Sequence, residues 1–125
     1  MTTIPLPWTT PPLTQNQVRR MHYYIEAKHK KTAIGEVITA IRRAKVQPMG
    51  RAEVELHYRP STRRICDADG IAVTGKVVVD ALVIEGILDG DDWRYVPATT
   101  QRIHEPVAGL MGALWVELRA VGDAA

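Results

Sequence analysis

The sequence has a single cysteine and no long apolar run, and both shortages limit what the chain can be. Cys66 has no second cysteine for an internal disulfide, and no spacing of cysteine and histidine matches a zinc site. No apolar stretch reaches the roughly 18 residues that a membrane span needs. Residues 1–8 lack the basic and apolar regions of a signal peptide. We therefore expect a cytoplasmic protein.

Repeats and linkers are also missing, and the length of 125 residues fits one domain with one modest core. Hydrophobic residues make up 46% of the chain and charged residues 24%, which is typical of an ordinary globular protein. We expect residues 1–125 to form a single domain.

Charge is divided unequally along the chain. Residues 1–52 contain nine lysines and arginines but only two acidic residues, whereas residues 53–125 contain seven basic and twelve acidic residues. A basic surface binds the phosphate backbone of nucleic acids. Lys28, Lys30 and Lys31 are therefore candidate DNA-binding residues, although a solvated helix face would have the same composition.

Hydrophobic periodicity predicts an α+β fold. Residues 53–59 alternate between apolar and polar side chains, as a half-buried strand does, and further strands are predicted over residues 2–8, 93–104 and 114–121. Helical spacing is seen over residues 18–46, in two pieces with Thr32 as the N-cap of the second, and over residues 71–88. We expect a mixed sheet of about four or five strands with helices packed on one face.

Six aspartates lie within residues 67–92. If residues 65–69 form a short strand, Asp67 and Asp69 share one face, with about 6.5–7 Å between their Cα atoms. That spacing suits a hard cation such as Mg²⁺, and a third carboxylate from residues 89–92 would complete the site. One or two such ions promote phosphodiester hydrolysis. An ordinary acidic surface turn is the alternative.

The residues around these aspartates follow a definite order: Arg63, Arg64, Asp67, Asp69, Lys76, Asp80-Ala81-Leu82, Gly86 and Asp91-Asp92. This order resembles the RusA family of Holliday-junction resolvases, in the form that many bacteriophages encode. Similar residues also occur at Leu6-Pro7-Trp8, His57-Tyr58-Arg59-Pro60 and Leu114-Trp115-Val116-Glu117-Leu118, so the resemblance covers nearly the whole chain.

The resemblance implies a homodimeric endonuclease that depends on Mg²⁺, with Mn²⁺ as the alternative ion, and needs no small-molecule cofactor. Such an enzyme resolves four-way DNA junctions by paired symmetric nicks in recombination and repair. Asp67, Asp69 and Asp91 match the metal-binding aspartates of the family, and Lys76 matches its catalytic lysine. Asp92 is the alternative third ligand.

The chain also departs from the family. Gly70 stands where the family has asparagine, and Lys76 lies farther from Asp69 than in shorter members. A non-catalytic protein that binds branched DNA through a decayed metal site is therefore the second hypothesis, and a structural protein with an acidic loop is the third. Arg63 and Arg64 could hold the phosphates beside the scissile bond or serve only solubility.

Five aromatic or histidine positions remain to be assigned from the pattern. Tyr23 and Tyr24 could stack on unpaired bases or form half-buried packing contacts. His57 is interpreted as an exposed strand histidine, with a position near the metal as the alternative. Trp93 and Trp115 are expected to pack.

Overall fold

A mixed sheet of four strands lies at the centre of the computed structural model, which describes residues 1–63 and 67–122. The elements in chain order are β1 (Thr2–Pro5), α1 (Gln15–Arg20), α2 (Tyr23–Arg43), β2 (Ala52–Arg59), a 3-10 turn (Ala68–Ile71), α3 (Ala72–Ile84), β3 (Thr99–Ile103) and β4 (Ala113–Ala120). The strand order is β1-β4-β2-β3, in which β4 pairs antiparallel with β1 and β2, and β2 pairs parallel with β3.

One face of the sheet packs against the hydrophobic core. In β2 the side chains of Val54, Leu56 and Tyr58 are buried, and the β2–β4 register places them opposite Leu118, Val116 and Leu114. This is the alternation predicted for residues 53–59 and 114–121, and it is confirmed. Because side chains alternate across a strand, the intervening residues of β2 and β4 lie on the opposite face.

Both long helices cover the core face. Helix α2 buries Ala33, Val37, Ala40 and Ile41. Helix α3 buries seven residues between Thr74 and Leu82. The guanidinium of Arg42 donates two hydrogen bonds, of 2.9 and 3.0 Å, to Glu85 and so joins the ends of α2 and α3. The predicted α+β class, with a mixed sheet and helices on one face, is confirmed. None of the described helices is both long and apolar enough to cross a membrane.

The predicted break in the first helical region lies elsewhere than expected. Helix α2 continues through Gly35, and Thr32 is not an N-cap, because its hydroxyl donates to the carbonyl of Lys28 at 3.1 Å within the helix. Glycine in a helix costs only about 1 kcal/mol, which the burial of Ala33 and Val37 offsets. The interruption falls at Met21 and His22, between α1 and α2.

Helix α2 has two unlike halves. All its buried residues lie between Ala33 and Ile41, whereas none of residues 23–32 is buried. We call residues 23–32 the projecting half of α2. At a rise of 1.5 Å per residue, it extends roughly 15 Å along the helix axis without a buried side chain.

Two further predictions about the region around the aspartates are wrong. Asp69 lies in the 3-10 turn and Asp67 immediately precedes it, so the described part of residues 65–69 is not a strand. Strand β3 is shorter than residues 93–104, because Asp92 accepts a hydrogen bond from the backbone N–H of Arg94 and starts a turn. Trp93 is exposed on this turn and does not pack against Trp115.

Candidate functional site

Lys76 brings together carboxylates from two separate segments. Its ammonium lies 2.9 Å from Oδ2 of Asp91, in the loop after α3, and 3.1 Å from Oδ1 of Asp80, one turn farther along α3. We call Lys76, Asp80 and Asp91 the cleft group. The loop is anchored to the start of β2, where the N–H of Asp89 donates to the carbonyl of Gly50 at 3.0 Å.

The hydrogen bond from Lys76 keeps Asp91 ionised. It lowers the pKa of the Asp91 carboxyl, and the same bond is the main cause that raises the pKa of Lys76. Both groups are therefore charged at neutral pH. An ionised carboxylate is the form that binds a hard cation.

An open cleft of about 420 Å³ lies between α3 and β3, at the edge of the sheet. Lys76 and Asp91 line it together with Gly75, Thr99 and Gln101. Gly75 leaves room for the side chain of Gln101, because an added Cβ at this position would lie 3.3 Å from Nε2 of Gln101. The cleft therefore presents an ammonium, a carboxylate and uncharged polar groups to whatever enters it.

Asp92 is held away from this cleft. Its carboxylate accepts hydrogen bonds from the backbone N–H and the guanidinium of Arg94, at 2.8 to 3.0 Å, and these bonds lower the pKa of Asp92. Asp92 does not line the cleft, whereas Asp91 does. Of the two candidates for the third ligand, Asp91 is thus the one placed beside Lys76.

Asp67 and Asp69 are exposed at the 3-10 turn, which packs against α3 and β3. The turn lies next to the cleft, but neither aspartate lines it. Across residues 1–63 and 67–122, Asp67, Asp69 and Asp91 do not form a set of three ligand atoms within 4.8 Å of one another. Their oxygen donors are nevertheless of the type that Mg²⁺ prefers, so the residues suit that ion in their chemistry.

The predicted DNA-binding residues fall in two places. Lys28, Lys30 and Lys31 lie on the projecting half of α2, where Lys30 pairs with Glu26 at 2.8 Å. Arg63 is exposed before the 3-10 turn. Arg64 lies outside the described residues, as does Cys66.

A second charged group occupies the face of the sheet opposite the helices, and sequence reasoning missed it. The β2–β4 register places Glu55 opposite Glu117, and Nε2 of His57 lies 3.0 Å from a carboxylate oxygen of Glu55 and 3.2 Å from one of Glu117. We call Glu55, His57 and Glu117 the open-face group. Their ligand atoms all lie within 4.8 Å of one another, so the group could hold a metal ion.

The expectation of an exposed His57 is wrong, because the residue is only 5% exposed. Trp115, its cross-strand neighbour, stacks on the imidazole with ring centroids 5.1 Å apart. His104 follows β3, and its Nε2 lies 2.7 Å from Nδ1 of His57, with an angle of 18° between the ring planes. The two imidazoles therefore meet edge to edge, and Trp115 packs on both.

His104 has a lowered pKa, first because burial disfavours its charged form and then because His57 and Arg102 lie nearby. A neutral His104 can accept a hydrogen bond from His57 or donate one to it, depending on its tautomer. The Glu-x-His alternation at residues 55–57 was a visible signal for this group. Glu117 could be added to it only with the strand register.

No protein-family model matches the chain, and a search of curated proteins finds no relative. The RusA resemblance therefore stays a prediction from the residues themselves.

Proposed function

We propose that the protein is a metal-dependent endonuclease that resolves four-way DNA junctions by paired symmetric nicks, with Mg²⁺ or alternatively Mn²⁺ as its ion. It would act in recombination and repair in the cytoplasm of a bacterial host. The observation that carries the proposal is the contact between Lys76 and Asp91. These two residues, assigned to catalysis by the resemblance, belong to different segments, α3 and the loop after it, and lie 2.9 Å apart on a cleft wall.

In this proposal Asp67, Asp69 and Asp91 hold the ion. When bound, the ion supplies positive charge that stabilises the charge developing on the phosphate. Lys76 is placed to donate a hydrogen bond to the departing oxygen of the phosphate. Asp80 gives the lysine a second contact, 3.1 Å long and one turn along α3, that does not depend on Asp91.

The projecting half of α2 is the proposed DNA contact. Tyr23 and Tyr24 are 63% and 66% exposed, with ring centroids 4.1 Å apart, so half-buried packing does not account for them. Exposed aromatic rings can stack on unpaired bases, and in this proposal the two tyrosines stack on bases that become unpaired at the junction when the protein binds. Lys28 and Lys31, about one and two turns along the helix from Tyr24, would neutralise phosphates.

A homodimer is part of the proposal. A four-way junction has approximate twofold symmetry, and a twofold enzyme presents one cleft to each of two opposing strands. In such a dimer the projecting half of α2 in each protomer would provide one of two DNA contacts.

A non-catalytic protein that binds branched DNA is the alternative. Two observations favour it: Gly70 replaces the family asparagine, and Asp67, Asp69 and Asp91 do not assemble as a ligand set within the described residues.

The test is cleavage of a synthetic four-way junction, with and without Mg²⁺, by the wild type, Asp91→Asn and Asp92→Asn. We expect the wild type to make symmetric nicks only with the ion. Asp91→Asn should lower the rate by at least about 100-fold while junction binding survives, because it removes a ligand and leaves the basic surface intact. Asp92→Asn is the matched control and should stay within a few-fold of the wild type, since Asp92 binds Arg94.

Gel shifts on the same junction separate the hypotheses. Binding without nicks under both Mg²⁺ and Mn²⁺ would establish the non-catalytic alternative. Failure to bind junction or duplex at low salt would contradict both. Replacing Lys28 and Lys31 by glutamine should weaken binding and reduce its salt dependence if the projecting half contacts phosphates.

A further inference from the structure

We infer that Glu55, His57 and Glu117 form a binding site for a divalent transition-metal ion, with Zn²⁺ as the best fit. The site lies on the face of the sheet opposite the helices and is separate from the aspartates of the proposed nuclease. It concerns a different ion, different ligands and a different part of the fold.

The first observation concerns the hydrogen bonding of Nε2 in His57. This atom is buried and makes no hydrogen bond of acceptable geometry in the described structure, although two carboxylate oxygens lie within 3.2 Å of it. Nε2 is therefore close to both oxygens but is not aligned with either of them for a hydrogen bond. A buried polar atom without a partner is costly, and a cation in the space between the three side chains would remove that cost.

The second observation is the spacing of the donors. Zinc ligands lie about 2.0–2.2 Å from the ion in a tetrahedral arrangement, so neighbouring ligands of one ion are roughly 3.3–3.6 Å apart. The distances from Nε2 of His57 to Glu55 and Glu117, 3.0 and 3.2 Å, are about 0.1–0.3 Å shorter than the lower limit of that range. The side chains therefore need little movement to bind.

Electrostatics favours a cation at the same point. Glu55 and Glu117 are directly opposite on neighbouring strands, where like charges destabilise a sheet. Arg102 lies 3.2 Å from Glu55, whereas among the described residues Glu117 forms an ion pair only with His57. A divalent ion would compensate both carboxylates at once.

The donor set selects the metal. Mg²⁺ prefers oxygen ligands in an octahedral arrangement, whereas imidazole nitrogen suits Zn²⁺ and its neighbours in the first transition row. Three protein ligands leave a position for water, as in zinc sites that are not purely structural. Affinity rises along the first transition row to Cu²⁺, which binds more tightly than Zn²⁺, so Zn²⁺ is chosen by geometry: one histidine and two carboxylates with one open position match its tetrahedral sites.

His104 is a positioning residue for this site. For His57 to bind the ion through Nε2, its Nδ1 must carry the proton. Nδ1 then donates a hydrogen bond to Nε2 of His104, 2.7 Å away. Trp115 stacks on both rings and limits their rotation. Such supporting hydrogen bonds typically contribute 10- to 100-fold in metal affinity.

The experiment is a calorimetric titration of chelator-treated protein with Zn²⁺, using the full chain. We expect one Zn²⁺ per chain for the wild type and a loss of at least about tenfold in affinity for Glu55→Gln and for Glu117→Gln. Glu53→Gln is the matched control, because Glu53 lies on the same strand and face but is exposed beside Arg119 at 3.9 Å. It should bind as the wild type does.

Three further readouts decide the outcome. Nitrogen-15 NMR should show His57 Nε2 shifting on Zn²⁺ binding, and His104→Asn should weaken binding while the fold, followed by circular dichroism, is kept. Asp91→Asn should bind Zn²⁺ normally even if it no longer cuts DNA. Absence of Zn²⁺ binding to the wild type, unchanged affinity in both folded glutamine variants, or a loss of affinity in Asp91→Asn would overturn the inference.

Discussion

The cleft group and the open-face group each gather three ionisable residues from separate segments, but their surroundings differ. In the cleft group the side chains of Lys76, Asp80 and Asp91 are 58%, 37% and 53% exposed, and Lys76 contacts both carboxylates. In the open-face group the side chain of His57 is 6% exposed, and one of its nitrogens lacks a hydrogen bond. Exposed ion pairs contribute little to stability because water screens them. The cleft group is thus free to exchange partners, whereas the open-face group is tied to the fold.

Among the substitutions that test this difference between the two groups, we expect His57→Ala to lower the stability of the protein most. Removing the imidazole deletes its stacking on Trp115 and its bond to His104, and it leaves two opposed carboxylates without their shared partner. We expect the free energy of unfolding in chelator to fall by about 3 kcal/mol. Urea unfolding followed by circular dichroism measures it, and a loss below about 1 kcal/mol would show that the open-face group is not tied to the fold.

A smaller effect is expected for Gly90→Ala, which acts on the cleft side. An added Cβ would lie 2.5 Å from the ring of Tyr95, so the loop that carries Asp91 must shift. We expect a stability loss of roughly 1–3 kcal/mol and slower junction cleavage, with unchanged Zn²⁺ affinity. A parallel loss of Zn²⁺ affinity would mean that the two groups are coupled.

The smallest effect is expected for Lys76→Met, which keeps the length of the side chain but removes its charge. Because all three members of the cleft group are well exposed, stability should change by less than about 1 kcal/mol, whereas cleavage should fall strongly. The same unfolding and cleavage assays apply. A stability loss as large as that of His57→Ala would show that the two groups stabilise the fold to the same extent.

Strand and helix positions could be predicted because they depend on local pattern. The alternation of Val54, Leu56 and Tyr58 specifies a face of β2, and the helical run after Ile71 specifies α3. Local turn chemistry was harder to predict. Asp92 starts a turn by binding the backbone of Arg94, which shortened β3, and the 3-10 turn removed the common strand face of Asp67 and Asp69.

The open-face group could not be predicted because it depends on long-range pairing. Alternation shows that Glu55 and His57 share a face, but not what covers that face. Only the register of β2 with β4 places Glu117 opposite Glu55 and Trp115 over His57. The approach of Lys76 to Asp91 is more local, because one helix and one turn connect them, and the family resemblance drew attention to both.

The parallel pairing of β2 with β3 also constrains how the protein folds. Parallel neighbours need a long crossover, and here residues 60–98 form it and contain Lys76, Asp80 and Asp91. Closing such a loop costs chain entropy before its contacts compensate, so nonlocal pairings of this kind slow folding. Thr99 and Gln101, which line the cleft, reach it only when β3 docks. A nascent chain whose β3 is still within the ribosome therefore contains Lys76 and Asp91 but not the complete cleft, so the cleft forms only late in folding.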